Sequence, residues 1–226
     1  MSKSKEEIAK RFNIDLKKLE EEQKKLAKLV VVKDSLDIEG VRCIAGIDVT
    51  TIGREVVASI ATVNPEFEVI EEKFASRRAS FPYVPGFLAF RELQVMIDVY
   101  KKLDMKPDVT FVIGHGILHP RGCGIASHFG IAIQGATIGV AKELLIGEGR
   151  GDKVYIGGKV RGALVETKKD SKPLVVSAGH NISLKSAIEL VKKFSREPHK
   201  FPEPITLAHK FLNGVKGEFE KGTRKE

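Results

Sequence analysis

The sequence holds only two cysteines, Cys43 and Cys123, in 226 residues. That is too few for a disulfide framework or a cysteine zinc site, and it points to a reducing compartment. Cys43 enters a strand-like run and reads as a small core residue. No apolar run approaches the roughly 20 residues of a membrane span. The start, MSKSKEEIAKRF, is charged and lacks a signal-peptide core, so a cytoplasmic protein is expected. There is no GK[ST] phosphate loop and no dinucleotide fingerprint. Repeats, low-complexity tracts and linkers are also missing, which leaves one domain over residues 1–226 as the best count.

Hydrophobic residues make up 42%, enough for a core without disulfides. The 38 basic residues outnumber the 30 acidic ones, giving +8, which favours nucleic acid or another polyanion as partner. Part of that excess (Lys221, Arg224 and Lys225) lies in residues 214–226, which read as a basic flexible tail. Residues 1–40 read as a helical segment packed on the domain. Its helix spans 5–29 with Leu16, Leu19, Leu26 and Leu29 on one stripe and a break at Asn13.

Three strands joined by short turns are predicted next, over 41–49, 55–63 and 67–75, and form an antiparallel meander. A proline-stiffened stretch, FPYVPG, precedes a helix over 87–103. The run 109–113 reads as a buried strand that breaks on Gly114-His115-Gly116 and leads to a helix over 126–133. A strand at 137–140, a hairpin over 154–166, a strand at 174–177 and helices over 187–194 and 205–212 complete the chain. A meander followed by β-α-β units implies an α/β fold: a mixed sheet with helices on both faces.

Four polar groups stand at the ends of these elements. Asp48 ends an apolar strand, where a carboxylate is costly unless it is paired or binds a cation. Glu92 lies in the helix after the proline stretch, Lys142 just past a strand, and His180 after Ser-Ala-Gly. Singly, each reads as well as a cap, an ion pair or a surface charge. Together they suggest one site at one sheet edge, suited to a divalent metal held by oxygen ligands. Tyr83, flanked by Pro82 and Pro85 with Gly86, is either a stiff ring able to wedge into a base stack or a cover for the sheet edge. Gly114 to Gly116 with Arg121 could cradle a phosphate through N–H groups and a guanidinium.

PYVPGFLAFRE (82–92), GHGILHPRGCGIASHFG (114–130) and GVAK (139–142) closely resemble the signature segments of the endonuclease V family. IAGIDVT (44–50) and SAGHNISLKSAIEL (177–190) resemble its first acidic strand and its late histidine segment. The resemblance implies a ribonuclease H-like fold. It implies a Mg²⁺-dependent DNA repair endonuclease, with Mn²⁺ an alternative metal, that recognises deaminated bases, chiefly inosine. Such an enzyme cuts the second phosphodiester bond 3′ to the lesion. It also implies roles: Asp48 and Glu92 as acidic metal ligands, Lys142 and His180 as further catalytic groups, and Tyr83 as the wedge that holds strands apart. The lesion-binding set would comprise Tyr83, Pro85 and Gly86 with Gly114, His115, Gly116, His119, Arg121 and Ser127. The expected partner is single- or double-stranded DNA containing inosine, or inosine-containing RNA, bound by a monomer.

One position departs from the family pattern. Where a second metal-binding aspartate precedes the glycine-rich loop, this chain has Ile113. Isoleucine cannot ligate a cation, and Asp108 lies ~16 Å away along the strand on its other face. Weakened metal binding and slow cleavage are therefore expected, with two alternatives to a DNA nuclease: an inosine-binding protein with reduced or no cleavage, and an inosine-specific endoribonuclease.

Overall fold

A computed structural model describes residues 4–222, with side chains as far as residue 217. Fifteen elements follow in order: α1 (Lys5–Arg11), α2 (Leu16–Ala27), β1 (Ile44–Ile52), β2 (Glu55–Val63), β3 (Val69–Arg78), α3 (Leu88–Lys101), β4 (Val109–Ile113), α4 (Ile125–Ile133), β5 (Ala136–Ala141), β6 (Glu148–Arg150), β7 (Lys153–Ile156), β8 (Lys159–Val165), β9 (Leu174–His180), α5 (Leu184–Lys193) and α6 (Glu203–Gly222). All nine strands join one sheet in the order β3-β2-β1-β4-β5-β9-β8-β7-β6. The β1-β2-β3 meander is antiparallel, β1, β4 and β5 run parallel, and β9 turns back against β5. This is the mixed sheet that the alternation of short and long connections predicts.

Each face of the sheet buries its own core. Ala45, Ile47 and Ile60 pack with Met96 of α3 and Phe129 of α4 on one side. Ile44, Phe111 and Ile138 pack with Leu190 of α5 and Ile205 of α6 on the other. Successive residues of β1 thus alternate between faces, as strand geometry requires. Among the described residues no helix is long and apolar enough to cross a membrane.

The placement of α6 depends on one glycine. A Cβ on Gly46 would lie 2.2 Å from the backbone nitrogen of Ile205. The absent side chain lets the first turn of α6 rest directly on β1. From that contact, Asp48 is two residues (~6.6 Å) along the strand, and His209 is four residues (~6 Å) along the helix. The two side chains therefore arrive together. Ser59 of β2 adds a hydrogen bond from its hydroxyl to the carbonyl of Ala208, 2.8 Å.

Several details differ from the sequence reading. Asn13, at φ +52°, does divide the N-terminal helix, but residues 28–40 carry no helix. The leucine stripe of α2 is only half-buried and Leu29 is 59% exposed; Gln23 is the buried residue of that helix. β6 pairs with β7 although its three residues are all exposed, so no apolar pattern announces it. β9 continues to His180 because Ser-Ala-Gly stays paired with β5. α6 continues through residue 222, so helix occupies much of the stretch expected as a tail. Residues 223–226 lie outside the described residues.

Candidate active site at the strand ends

Register brings the chemistry to one level of the sheet. Ile47 opposes Val112, and Ile113 opposes Val140, so Asp48 stands level with Ile113, the last residue of β4, and Val140, next to last in β5. Asp48 does not end its strand as expected: β1 runs on to Ile52 because it stays paired with β2. Lys142 follows one residue after β5 ends. A cleft of about 860 Å³ opens over this row, lined by Asp48, Ile113, Lys142 and His209 and also by Tyr83, Pro85, Gly86 and His119.

Asp48 is 9% exposed. Its Oδ1 accepts the Val49 N–H at 2.8 Å, and its Oδ2 accepts from Nδ1 of His209 at 2.7 Å. A histidine that donates through Nδ1 leaves Nε2 as the proton-accepting nitrogen. Glu92 sits one turn into α3 beyond the cleft-lining Leu88 and Ala89. Burial pushes its carboxyl up to about 7, against the pull of Arg91 and with a further push from the Asp48 charge. Two carboxylates that repel each other in a partly dry site suit a shared cation. Among the described residues no group of three His, Cys, Asp or Glu side chains is arranged to hold a metal. With Ile113 in the row, the carboxylates that could hold a divalent cation here are those of Asp48 and Glu92, and the remaining ligands would come from phosphate oxygens and water. The Nζ of Lys142 lies 5.5 Å from the ring centroid of Phe201 at the cleft wall.

His180 is not in this cleft. It opposes Thr137, three residues before Val140, on the strand beyond β5. That separates it from Asp48 by about 10 Å along the sheet and 14 Å across it. Its Nδ1 accepts the Val31 N–H at 3.2 Å, and burial lowers its pKa. The histidine that does meet Asp48 is His209, which no motif flagged. Its one signal is a polar residue beside the buried Ile205, Ala208 and Leu212 of α6.

Three residues of the expected lesion set prove structural. Ser127 is fully buried in α4 and absent from the cleft lining, so it cannot meet a nucleic acid in this conformation. Gly116 packs on β9, where a Cβ would lie 1.9 Å from the carbonyl oxygen of Ala178. Arg121 cannot serve as a free phosphate contact. Its Nε donates to Oε1 of Gln23 at 2.6 Å, its Nη2 to the Gly86 carbonyl at 2.5 Å, and its Nη1 lies 3.6 Å from Glu20. His119 is 5% exposed; burial, helped by the charge of Arg121, drives its pKa down to about 4. Tyr83, at 61% exposure, projects as expected, and Gly114 and His115 line the cleft. His115 bonds through Nε2 to the carbonyl of Glu143 at 3.0 Å.

Asp48 on the sheet, Glu92 on α3, Lys142 past β5 and His209 on α6 gather around one cleft a set of charged groups suited to a hydrolase. The chain belongs to the endonuclease V family, whose model matches residues 24–210. Endonuclease V from Thermofilum pendens is 39% identical over 216 residues, covering 92% of this chain and 93% of its own. The crystal structure of endonuclease V from Bacillus subtilis superposes with a TM-score of 0.84 at 28% identity, covering 93% of this chain and 96% of that one. Endonuclease V from Ciona intestinalis, solved with a 24mer DNA containing an inosine followed by a ribo-adenosine, gives 0.82 at 26% identity over 90% and 98% of the two chains. The fold is accordingly ribonuclease H-like, and the family is one of nucleases.

Proposed function

We propose that this chain binds nucleic acid containing a deaminated base, chiefly inosine, and hydrolyses the second phosphodiester bond 3′ to it. The observation that carries the reading is the Asp48–His209 pair, 2.7 Å apart, in one cleft with Glu92 behind it and the exposed ring of Tyr83 opposite. Tyr83 wedges into the stack and compensates part of the few kcal/mol that flipping a base costs. The flipped base enters between Pro85-Gly86 and Gly114-His115, where backbone groups can read its edge.

Asp48 and Glu92 would hold Mg²⁺, or Mn²⁺, which supplies charge stabilisation at the scissile phosphate. His209 takes the proton of the attacking water at Nε2, while Asp48 holds the ring in the tautomer that leaves that nitrogen free. Lys142 places a positive charge beside the phosphate as negative charge builds on it. The lysine-rich surface favours the polyanion and makes binding salt-sensitive.

Ile113 favours a second reading in which lesion binding survives and cleavage is slow. It fills with hydrocarbon the strand end beside Asp48. The test compares nicking of inosine and ordinary duplexes, with deoxyribose or ribose 3′ to the inosine, in Mg²⁺ and Mn²⁺, by the parent and by Ile113→Asp. Inosine-dependent binding by both proteins and faster nicking by Ile113→Asp are expected. Equal nicking by the two would overturn the role of Ile113. Equal affinity for inosine and ordinary duplexes would overturn the lesion reading.

A further inference from the structure

We infer that Gln23, on the N-terminal helix α2, is a positioning residue for the Tyr83 wedge. The inference rests on the wedge reading above, and it assigns a role to a helix that otherwise shows a charged, solvated surface.

The geometry converges on one atom. The carbonyl oxygen of Gly86 accepts from Nε2 of Gln23 at 3.2 Å, from Nε2 of His119 at 3.1 Å and from Nη2 of Arg121 at 2.5 Å. A carbonyl has two lone pairs, so three side-chain donors more than fill it. Gly86 lies in a turn with φ +80°, a conformation that disfavours any residue with a side chain. The turn closes through the Phe87 N–H to the Val84 carbonyl at 2.9 Å. Val84 and Phe87 are buried beneath it, while Tyr83 points outward. With its ends anchored in the core, the turn has one adjustable feature, its tilt over the cleft. The Gly86 carbonyl is the handle that sets that tilt.

Each donor is itself fixed. His119 accepts the Arg121 N–H at Nδ1, 3.3 Å, which places its one proton on the nitrogen that faces Gly86. The Arg121 guanidinium lies 4.4 Å from the Phe87 ring centroid. Gln23 uses both ends of its amide: Oε1 accepts from Arg121 and Nε2 donates to Gly86. The reverse orientation would set two donors and two acceptors face to face, so the assignment is unique. At 1% exposure a glutamine is a costly filler, and an apolar side chain of equal size would pack the same space. What the amide adds is direction. It links α2 to a turn 63 residues away that lines the cleft.

The test uses the full chain and two variants. Gln23→Met keeps the volume and loses both hydrogen bonds. Gln23→Glu keeps a partner for Arg121 and loses the donor to Gly86. Affinity is measured for inosine and ordinary duplexes, with 2-aminopurine beside the inosine to report unstacking, alongside thermal melting and amide exchange of the Val84–Phe87 turn. At least one variant is expected to melt near the parent and bind ordinary duplex equally. It should lose inosine preference tenfold or more, lose the fluorescence rise, and exchange the turn amides faster. Preference within twofold of the parent in a folded variant would overturn the proposal. Failure of both variants to fold would also overturn it, by making Gln23 structural. If the parent shows no inosine preference, the wedge reading fails, and turn exchange alone decides the clamp: unchanged exchange overturns it, faster exchange upholds it.

Discussion

The two walls of the cleft are built on opposite plans. The wedge wall comes from dense sequence motifs, PYVPG and HPR, and most of its polar groups hold one another: His119, Arg121 and Gln23 all serve the Gly86 carbonyl. The acidic wall comes from three separated stretches, β1, α3 and α6, and the hydrogen bond between Asp48 and His209 joins two of them. The contrast teaches that a crowd of histidines and arginines marks where backbone must be held as readily as where reactions occur. Buried polar groups need partners, and a motif that supplies its own is a scaffold.

Breaking the acidic wall should cost most. In the Ile113→Asp background, Asp48→Asn is expected to lower single-turnover nicking of an inosine duplex by three orders of magnitude or more, since on the proposed reading it removes a carboxylate from the metal and the negative charge beside His209. Retained inosine binding, read by gel shift, would show that the wedge wall is unharmed. A drop of less than tenfold would mean that Asp48 is not at the reacting centre.

The two histidines sharpen the comparison. His209→Asn is expected to slow nicking about 10²-fold by removing the base. His180→Asn should leave nicking within about twofold and change the melting temperature instead, because the Val31 N–H loses its acceptor. The reverse pattern would restore the sequence-based assignment of His180.

Gly46→Ala tests how the acidic wall is assembled. The new methyl would meet the start of α6, so a loss of about 1–3 kcal/mol in urea unfolding is expected, with reduced nicking as His209 leaves Asp48. Unchanged stability would mean that α6 shifts freely on the sheet.

The smallest expected effect belongs to the scaffold behind the wedge wall. His128 is 8% exposed, its Nδ1 has no partner among the described residues, and burial drives its pKa down to about 4. Unfolded, it would titrate near 6.5. As pH falls, the unfolded chain takes the proton first, so this contribution is full above about 6.5 and lost between there and 4. Between pH 7 and 5 that amounts to on the order of 2 kcal/mol. Glu92, raised to about 7, acts with the opposite sign over part of the same range. The difference between parent and His128→Leu isolates the histidine: on going from pH 7 to 5 the variant should gain stability relative to the parent by on the order of 2 kcal/mol, read from urea midpoints. Identical pH dependence in the two proteins would sink the argument.

The meander, the mixed sheet and the positions of Ile113 at the end of β4 and Lys142 just past β5 were legible because alternation and turn residues are local signals. The proline-stiffened projection of Tyr83 was legible for the same reason. Arg121 and Ser127 were misjudged because residue type says nothing about whether a guanidinium is already engaged or a hydroxyl already buried. β6 was invisible because its three exposed residues carry no pattern.

The sequence by itself determined the family, the mixed sheet and the acidic residue within its first strand, since motif spacing and hydrophobic period are written along the chain. Only the tertiary structure decided which histidine meets Asp48. That choice depends on a glycine in β1 that lets a helix 160 residues later lie flush on the strand, and the reach of a side chain across such a contact is set by packing rather than by sequence distance.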